Sequence, residues 1–336
     1  MQNRVKIVSY GIGVLGMRIA KAALERTNLE IVGALDVDPD KVGKDLGDLL
    51  EIGKKLGIIV TNDPKQLFTE VQPDIIIHTT SSYLKDVYPQ LEECIKAKLN
   101  VISTTEELSW PWDNEPDLAR QLDELAKQHG VTVTGTGINP GYLMDTLPLV
   151  LTAPCLDVKS IKITRMMNSA HRRIPFQKKI GTGLTVDEFK QYVADKTITG
   201  HVGLVESGQM IAGGLGWKLD EIKEFPPEPV IAEADITTPY KTVKKGQVLG
   251  LKSIATAKKD GKTVITFEFI AYAGNDPEYD AVSIEGTPNI HERVEGGIHG
   301  DIGTIAMVLN TIPKVLKAAP GLKTMKDLPL PCAELG

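Results

Sequence analysis

The sequence predicts an α/β protein of two domains, a parallel doubly wound sheet followed by an α+β domain whose sheet is mostly antiparallel. Three observations carry this reading. Short β-branched runs alternate with longer amphipathic ones over the first 140 residues, the pattern changes after Gly135, and 336 residues exceed what one hydrophobic core ordinarily serves. Hydrophobic residues make up 42% and charged residues 24%, which sets extensive disorder aside.

In the first domain, residues 5–10, 30–36, 75–79, 101–104 and 131–134 read as strands. Residues 16–26, 64–70, 84–98 and 116–129 carry helical spacing between them. Strands and helices alternating at this length form a parallel sheet with right-handed crossovers. Asn139-Pro140-Gly141 then makes a turn, and an apolar helix spans about 141–152. Strand-like runs follow at 161–167, 231–238, 247–258 and 263–273, with helices at 185–196 and 201–213. Asp260-Gly261 between the last two runs is a hairpin signal, because both residues accept positive φ. The chain turns helical again from about Gly300 to Lys317, and 320–328 is expected to return to the first domain. The resulting boundaries are 1–145, 146–298 and 299–336.

Charge narrows the partners. With 38 Lys+Arg against 44 Asp+Glu the net charge is -6, which disfavours nucleic acid and anionic membrane surfaces. No apolar run reaches 18 residues, and the N-terminus enters a strand pattern without a secretory leader, so a cytoplasmic protein is expected. Cys94, Cys155 and Cys332 lie far apart with no CxxC pair or Cys/His cluster, so no metal site is expected.

The strongest local motif is Gly11-Ile12-Gly13-Val14-Leu15-Gly16, directly after the first strand. The first glycine makes the turn, the second admits a pyrophosphate, and the third lets helix pack on strand, with the phosphate on the helix N-terminus. A glycine turn in an unrelated α/β domain is the plainer reading, but strand, helix and a following acid all stand where a Rossmann dinucleotide site needs them. Asp36, twenty residues on, can bond both ribose hydroxyls and repel a 2′-phosphate, which favours NAD over NADP. Lys41 and Lys44 lie just beyond and can tolerate a phosphate. Asp36-Val37-Asp38-Pro39-Asp40 lacks the further ligands of a calcium loop and reads as a turn.

Ligands of open α/β sheets bind beyond the carboxyl ends of the strands. Thr79, Thr80 and Ser81 after one strand, and Thr104 after the next, are therefore candidates for cofactor contact, with helix capping the plainer alternative. His78 reads as a packed histidine. Glu106 and Glu107 are adjacent, so in an extended segment only one enters the site. A partly desolvated carboxylate there can act as a general base, and solvated loop acids are the plainer reading. Asn139 is the side chain placed to meet the carboxamide end of a cofactor. The run from His171 to Lys179 is the one concentrated basic patch, suited to a substrate carboxylate or to a solvated loop. Thr304 stands in the first turn of the C-terminal helix, after a glycine-rich entry.

Taken together, YGIGVLG (10–16), GALDVDPDKVGKDLG (33–47), STTEELSWP (103–111), GINPGYLMDTLP (137–148), RRIPFQKKIGTGLT (172–185) and GDIGTIAMVLNTIPKVLKAAPGL (300–322) resemble the 2,4-diaminopentanoate dehydrogenases and related native amine dehydrogenases. These share a dihydrodipicolinate-reductase-like fold. The resemblance implies reversible oxidative deamination of an amine with NAD or NADP, giving ketone and ammonia, on a two-domain homodimer. It makes one of Glu106 and Glu107 the catalytic acid/base, with Glu107 favoured, and places Asn168, His171, Arg172 and Thr304 around the substrate. Two other activities compete: reduction of a cyclic imine, which needs no free ammonia, and a redox sensor that binds NAD(H) without turnover.

Overall fold

A computed structural model describes residues 4–172 and 174–333. The chain divides into two compact units, residues 1–142 with 300–336, and residues 143–299.

The first unit is a seven-stranded parallel sheet with helices on both faces. Its strands are β1 (Val5–Tyr10), β2 (Leu29–Leu35), β3 (Val60–Thr61), β4 (Ile75–His78), β5 (Asn100–Ser103), β6 (Thr132–Gly135) and a closing strand, Gly321–Lys323. Their spatial order is closing strand-β6-β5-β4-β1-β2-β3. Chain direction across the sheet reverses between β1 and β4, and the loops after these two strands flank the binding crevice of such sheets. The central strands are apolar at their middles: Ile7, Val8, Ile75, Ile76, Val101 and Ile102 have no exposed surface, as expected for strands covered on both faces. The helices are α1 (Val14–Ala23), α2 (Leu46–Leu49), α3 (Pro64–Val71), α4 (Leu84–Lys96), α5 (Pro111–Asn114), α6 (Pro116–His129) and the C-terminal helix Gly300–Val315. Proline opens α6 and Gly130, at φ 73°, closes it, the usual asymmetry of helix ends. Leu91, Cys94 and Ile95 of α4 and Ala119, Leu122 and Ala126 of α6 belong to one apolar cluster on the sheet.

The second unit is built on β7 (Asp157–Asn168), β8 (Glu221–Glu224), β9 (Glu228–Ile231), β10 (Ile236–Thr237), β11 (Thr242–Val243), β12 (Val248–Lys259), β13 (Lys262–Tyr272), β14 (Tyr279–Thr287) and β15 (Ile290–Glu295). The large sheet runs β15-β14-β7-β13-β12-β8, and β10 and β11 form a small ribbon. Helices α7 (Thr146–Thr152), α8 (Ile174–Lys179), α9 (Val186–Ala194) and α10 (Leu204–Leu215) complete it. The β12–β13 turn has Asp260 at φ 52° and Gly261 at φ 72°, the two positive values its hairpin requires.

The large sheet is mostly antiparallel, as expected, with one parallel pair, β7 and β13. Three features differ from the sequence reading. The expected strand 231–238 is broken between β9 and β10. The strands β14 and β15 were not anticipated: β14 carries Asp280 and Glu285 among its apolar residues, and β15 is an edge strand whose half-buried face holds only two apolar residues, Ile290 and Val294. The basic run after Arg172 is the helix α8 rather than a loop. Among the described residues no helix is long and apolar enough to cross a membrane.

Candidate functional site

The glycine loop is closed towards the protein and open on its other side. Gly11 has φ +98°, and a Cβ there would lie 2.6 Å from the Thr79 carbonyl oxygen. One on Gly16 would lie 2.0 Å from the Gly11 carbonyl oxygen, whereas one on Gly13 would meet nothing within 4 Å. The β4 end holds the loop in place. Thr79 donates from its amide to the Tyr10 carbonyl at 2.8 Å and from Oγ1 to the Gly11 carbonyl at 2.7 Å. Gly13 is the N-cap of α1 and offers no side chain, and no acid stands in the first turn. The first amide groups of a ten-residue helix are thus left as donors for an anion. Val14, 51% exposed, flanks them.

Asp36 follows β2 and reaches back to this loop. Its Oδ2 accepts the Ile12 amide at 2.7 Å and Lys41 Nζ at 3.2 Å, and its Oδ1 accepts the Asp38 amide at 2.9 Å. Three of about four acceptor positions of the carboxylate are therefore in use. One acceptor position is left free by these partners.

Beyond β4 and β5 the small polar residues are tied to each other. His78 Nδ1 lies 2.9 Å from Ser103 Oγ and Nε2 lies 2.7 Å from Gln90 Oε1. Burial pushes this imidazole down to about 4, so it is neutral at physiological pH. Thr80 Oγ1 donates to Gln90 Oε1 at 2.7 Å, and Ser81 Oγ donates to Asp86 Oδ2 at 2.8 Å. The side chains of Thr79, Thr80 and Ser81 thus serve the loop and the start of α4. The Thr104 amide bonds the His78 carbonyl at 3.0 Å, and its side chain is half-buried.

The two glutamates lie in a 3₁₀ turn, Glu106–Ser109, not in an extended segment. Successive side chains there diverge by a third of a turn rather than by half. Glu107 is fixed: its amide bonds the Ser82 carbonyl at 3.2 Å, and Oε2 accepts the Leu84 amide at 2.7 Å. It supplies the N-terminal cap that Tyr83 does not provide for α4. Burial raises its carboxyl above the usual range, and the Leu84 hydrogen bond opposes that rise. Glu106 is half-buried, and its carboxylate takes no partner among the described residues. The pair therefore separates into a capping acid and an uncommitted one.

The loop after β6 is held by the C-terminal helix. Thr304 Oγ1 accepts the Ile138 amide at 3.2 Å, and Gly141, at φ +122°, packs on Gly137. Asn139 is half-buried in this loop. Thr304 therefore shapes the Asn139 segment before any contact with substrate.

In the second unit, Asn168 ends β7 with its side chain almost fully committed. Oδ1 accepts the Ala170 and Gly274 amides at 3.0 Å each, and Nδ2 donates to Asp276 at 2.7 Å. The substrate contact expected of it is left one amide hydrogen; its evident work is to pin the 274–276 turn. Glu278 accepts from Arg172 and lies 3.0 Å from His171 Nδ1. His171, Asp276 and Glu278 could together offer three ligand atoms to a cation, but the Arg172 guanidinium already holds Glu278. Arg173, also in the basic run, lies outside the described residues. Deeper in, the buried Arg165 pairs with Asp280 at 3.6 Å, and both hold Ile298 through its backbone. Sequence reasoning missed Asp276, Glu278 and Asp280. The Asn-Asp-Pro-Glu turn at 275–278 was their only signal, and nothing in it points to Arg172 or Arg165 a hundred residues away.

A glycine loop at a sheet's reversal point, an open helix N-terminus and polar strand ends mark a protein of the two-unit dinucleotide-binding class. The N-terminal model for dihydrodipicolinate reductase matches residues 5–135, and the model for the 2,4-diaminopentanoate dehydrogenase C-terminal domain matches residues 142–336. The 2,4-diaminopentanoate dehydrogenase of Acetoanaerobium sticklandii is 36% identical over 99% of this chain and 96% of its own. The structure of an amine dehydrogenase from Mycobacterium smegmatis superposes with a TM-score of 0.83 at 28% identity, covering 98% of this chain and 97% of that one. The dihydrodipicolinate reductase of Paenisporosarcina sp. TG-14, at 13% identity and a TM-score of 0.55 over 96% and 98% of the two chains, shares the fold. The chain belongs to the 2,4-diaminopentanoate dehydrogenase family, and it is an oxidoreductase acting on amine donors.

Proposed function

We propose that this protein deaminates 2,4-diaminopentanoate, or a closely related amine, oxidatively and reversibly with a nicotinamide dinucleotide, giving ketone and ammonia. The observation that carries the reading is the uncommitted Glu106 carboxylate beyond β5, in the same sheet as an open glycine loop beyond β1. The dinucleotide fits this loop, since the space a Cβ on Gly13 would fill is vacant and the α1 N-terminus is uncapped. When bound, it supplies the hydride acceptor. The Gly11–Gly16 backbone would hold its pyrophosphate, and Asp36 would hold its ribose.

Glu106 acts as the proton acceptor for the substrate ammonium, in place of the Glu107 favoured from sequence, because Glu107 is occupied in capping α4. The neutral amine, unlike the ammonium, has a lone pair that stabilises positive charge on the neighbouring carbon. After passing that proton to solvent, the same carboxylate takes a proton from the water that adds to the iminium, delivers it to the carbinolamine nitrogen, and accepts the hydroxyl proton as ammonia departs and the ketone forms. In the second unit, the guanidinium N–H groups of Arg172 that its bond to Glu278 leaves unused suit a substrate carboxylate. Residues 1–145 then serve the cofactor, 146–298 serve substrate and homodimer contacts, and 299–336 return to the first unit. Light scattering at twice the chain mass tests the dimer.

The deciding experiment follows NAD and NADP reduction with 2,4-diaminopentanoate, with ammonia assayed in parallel. Glu106→Gln is expected to lower turnover by about 10²–10⁴-fold while NADH still binds. Full activity in Glu106→Gln, with loss in Glu107→Gln, would move the proton acceptor to Glu107.

A further inference from the structure

We propose that Lys41 is a specificity-determining residue which admits a 2′-phosphate beside Asp36, so that the chain takes NADP as well as NAD. The proposal rests on the cofactor reading above and deepens it. An acid at the end of the second strand ordinarily selects NAD, by gripping the ribose diol with both oxygens and repelling a phosphate. Asp36 is not in that state. Its Oδ2 is filled by the Ile12 amide and by Lys41, and its Oδ1 already accepts the Asp38 amide. One acceptor position is left, so a two-handed grip on the diol requires breaking an existing bond.

The repulsive half of the rule is also weakened. Lys41 Nζ sits 3.2 Å from Asp36 Oδ2 and 3.1 Å from Asp38 Oδ2, which places an ammonium beside the carboxylate that would otherwise repel a 2′-phosphate. An ammonium has three donors, and these carboxylates use two. The third can reach a phosphate oxygen without either carboxylate being released. The ammonium is secure: burial pulls its pKa down, but the bonds to Asp38 and Asp36 outweigh burial and raise it overall.

The turn itself is set for this. Asp38 accepts the Asp40 amide in an Asx turn, and the Lys41 and Lys44 amides bond the Asp38 and Lys41 carbonyls, which holds Lys41 back towards Asp36. Its side chain is only 23% exposed, so little rotamer freedom remains to be lost when a ligand arrives. Lys44 differs: it is exposed and joins no ion pair among the described residues.

The test is calorimetric titration of NADH and NADPH into the wild-type chain, Lys41→Gln, Lys41→Arg and Lys44→Gln, at two salt concentrations. Both cofactors are expected to bind the wild type, with NADPH affinity falling more steeply with salt. Lys41→Gln is expected to raise the ratio of the NADPH to the NADH dissociation constant at least about tenfold and to remove the extra salt dependence. Lys41→Arg keeps the cation and most of the effect. An equal change for both cofactors in Lys41→Gln, a larger change in Lys44→Gln, or a wild type that binds NADH alone would each overturn the proposal. Binding of neither cofactor to the wild type would instead overturn the cofactor reading on which it stands.

Discussion

The strand ends of the two units treat their polar groups in opposite ways. In the first unit, donors and acceptors are left open where a ligand would lie: the α1 amides, the space beside Gly13 and the Glu106 carboxylate. In the second, the polar side chains near the end of β7 are paired internally, Arg165 with Asp280 and Arg172 with Glu278 as ion pairs and Asn168 with Asp276 as a hydrogen bond. Unmade hydrogen bonds cost little while water fills them and become binding energy when a ligand displaces it. Buried pairs made in advance fix geometry and are expensive to break. Substitutions at the first kind of site should therefore alter binding, and at the second stability.

The largest departure from this contrast would be a harmless break in the second unit. Arg165→Met leaves Asp280 as a buried carboxylate without its guanidinium, and should cost about 3–5 kcal/mol in urea unfolding. A loss below about 1 kcal/mol would mean the pair is solvated, and the contrast would fail.

One buried group in each unit should also respond to pH with opposite sign. Burial lowers His78 from 6.5 to about 4, so the unfolded chain binds more protons in that window. Its contribution of about 3 kcal/mol is complete above pH 6.5 and lost as pH falls towards 4. Glu224 in the second unit is raised from 4.5 to about 7, by burial first and by Glu206 second. Its contribution is complete below pH 4.5 and lost as pH rises through 7. Melting curves across this range should show His78→Gln flattening the acid side and Glu224→Gln the other; a single variant flattening both would refute the assignment.

The smallest effect separates packing from binding inside one loop. Gly16→Ala forces a Cβ to 2.0 Å from the Gly11 carbonyl oxygen and should destabilise by about 1–3 kcal/mol. Gly13→Ala meets nothing in the protein, so its melting temperature should stay near wild type while NADH affinity falls. Equal melting losses in both would show that the Gly13 side is not open.

Much of the first unit was legible because its features are local. The spacing of Gly11, Gly13, Gly16 and Asp36 follows from one strand, one turn and one helix. The Asp260-Gly261 hairpin needs only two residues that accept positive φ. The edge strand β15 left only a faint trace, since its half-buried face holds two apolar residues, Ile290 and Val294, with Glu292 between them. The pairing of β7 with β13 is invisible, because parallel register between distant segments is set by the sheet and not by any turn.

By itself, then, the sequence determined the class of each unit, the place of the glycine loop and the set of residues at the strand ends, all of which arise from neighbours within about 25 positions. Only the tertiary structure decided what those residues have left to give. Whether Glu106 or Glu107 is free depends on which one reaches the first amide of a helix over twenty residues earlier. Whether Asp36 has acceptors to spare depends on the Ile12 amide and on Lys41. A hydrogen bond saturates its partners, and the count of those already made exists only once distant segments have met.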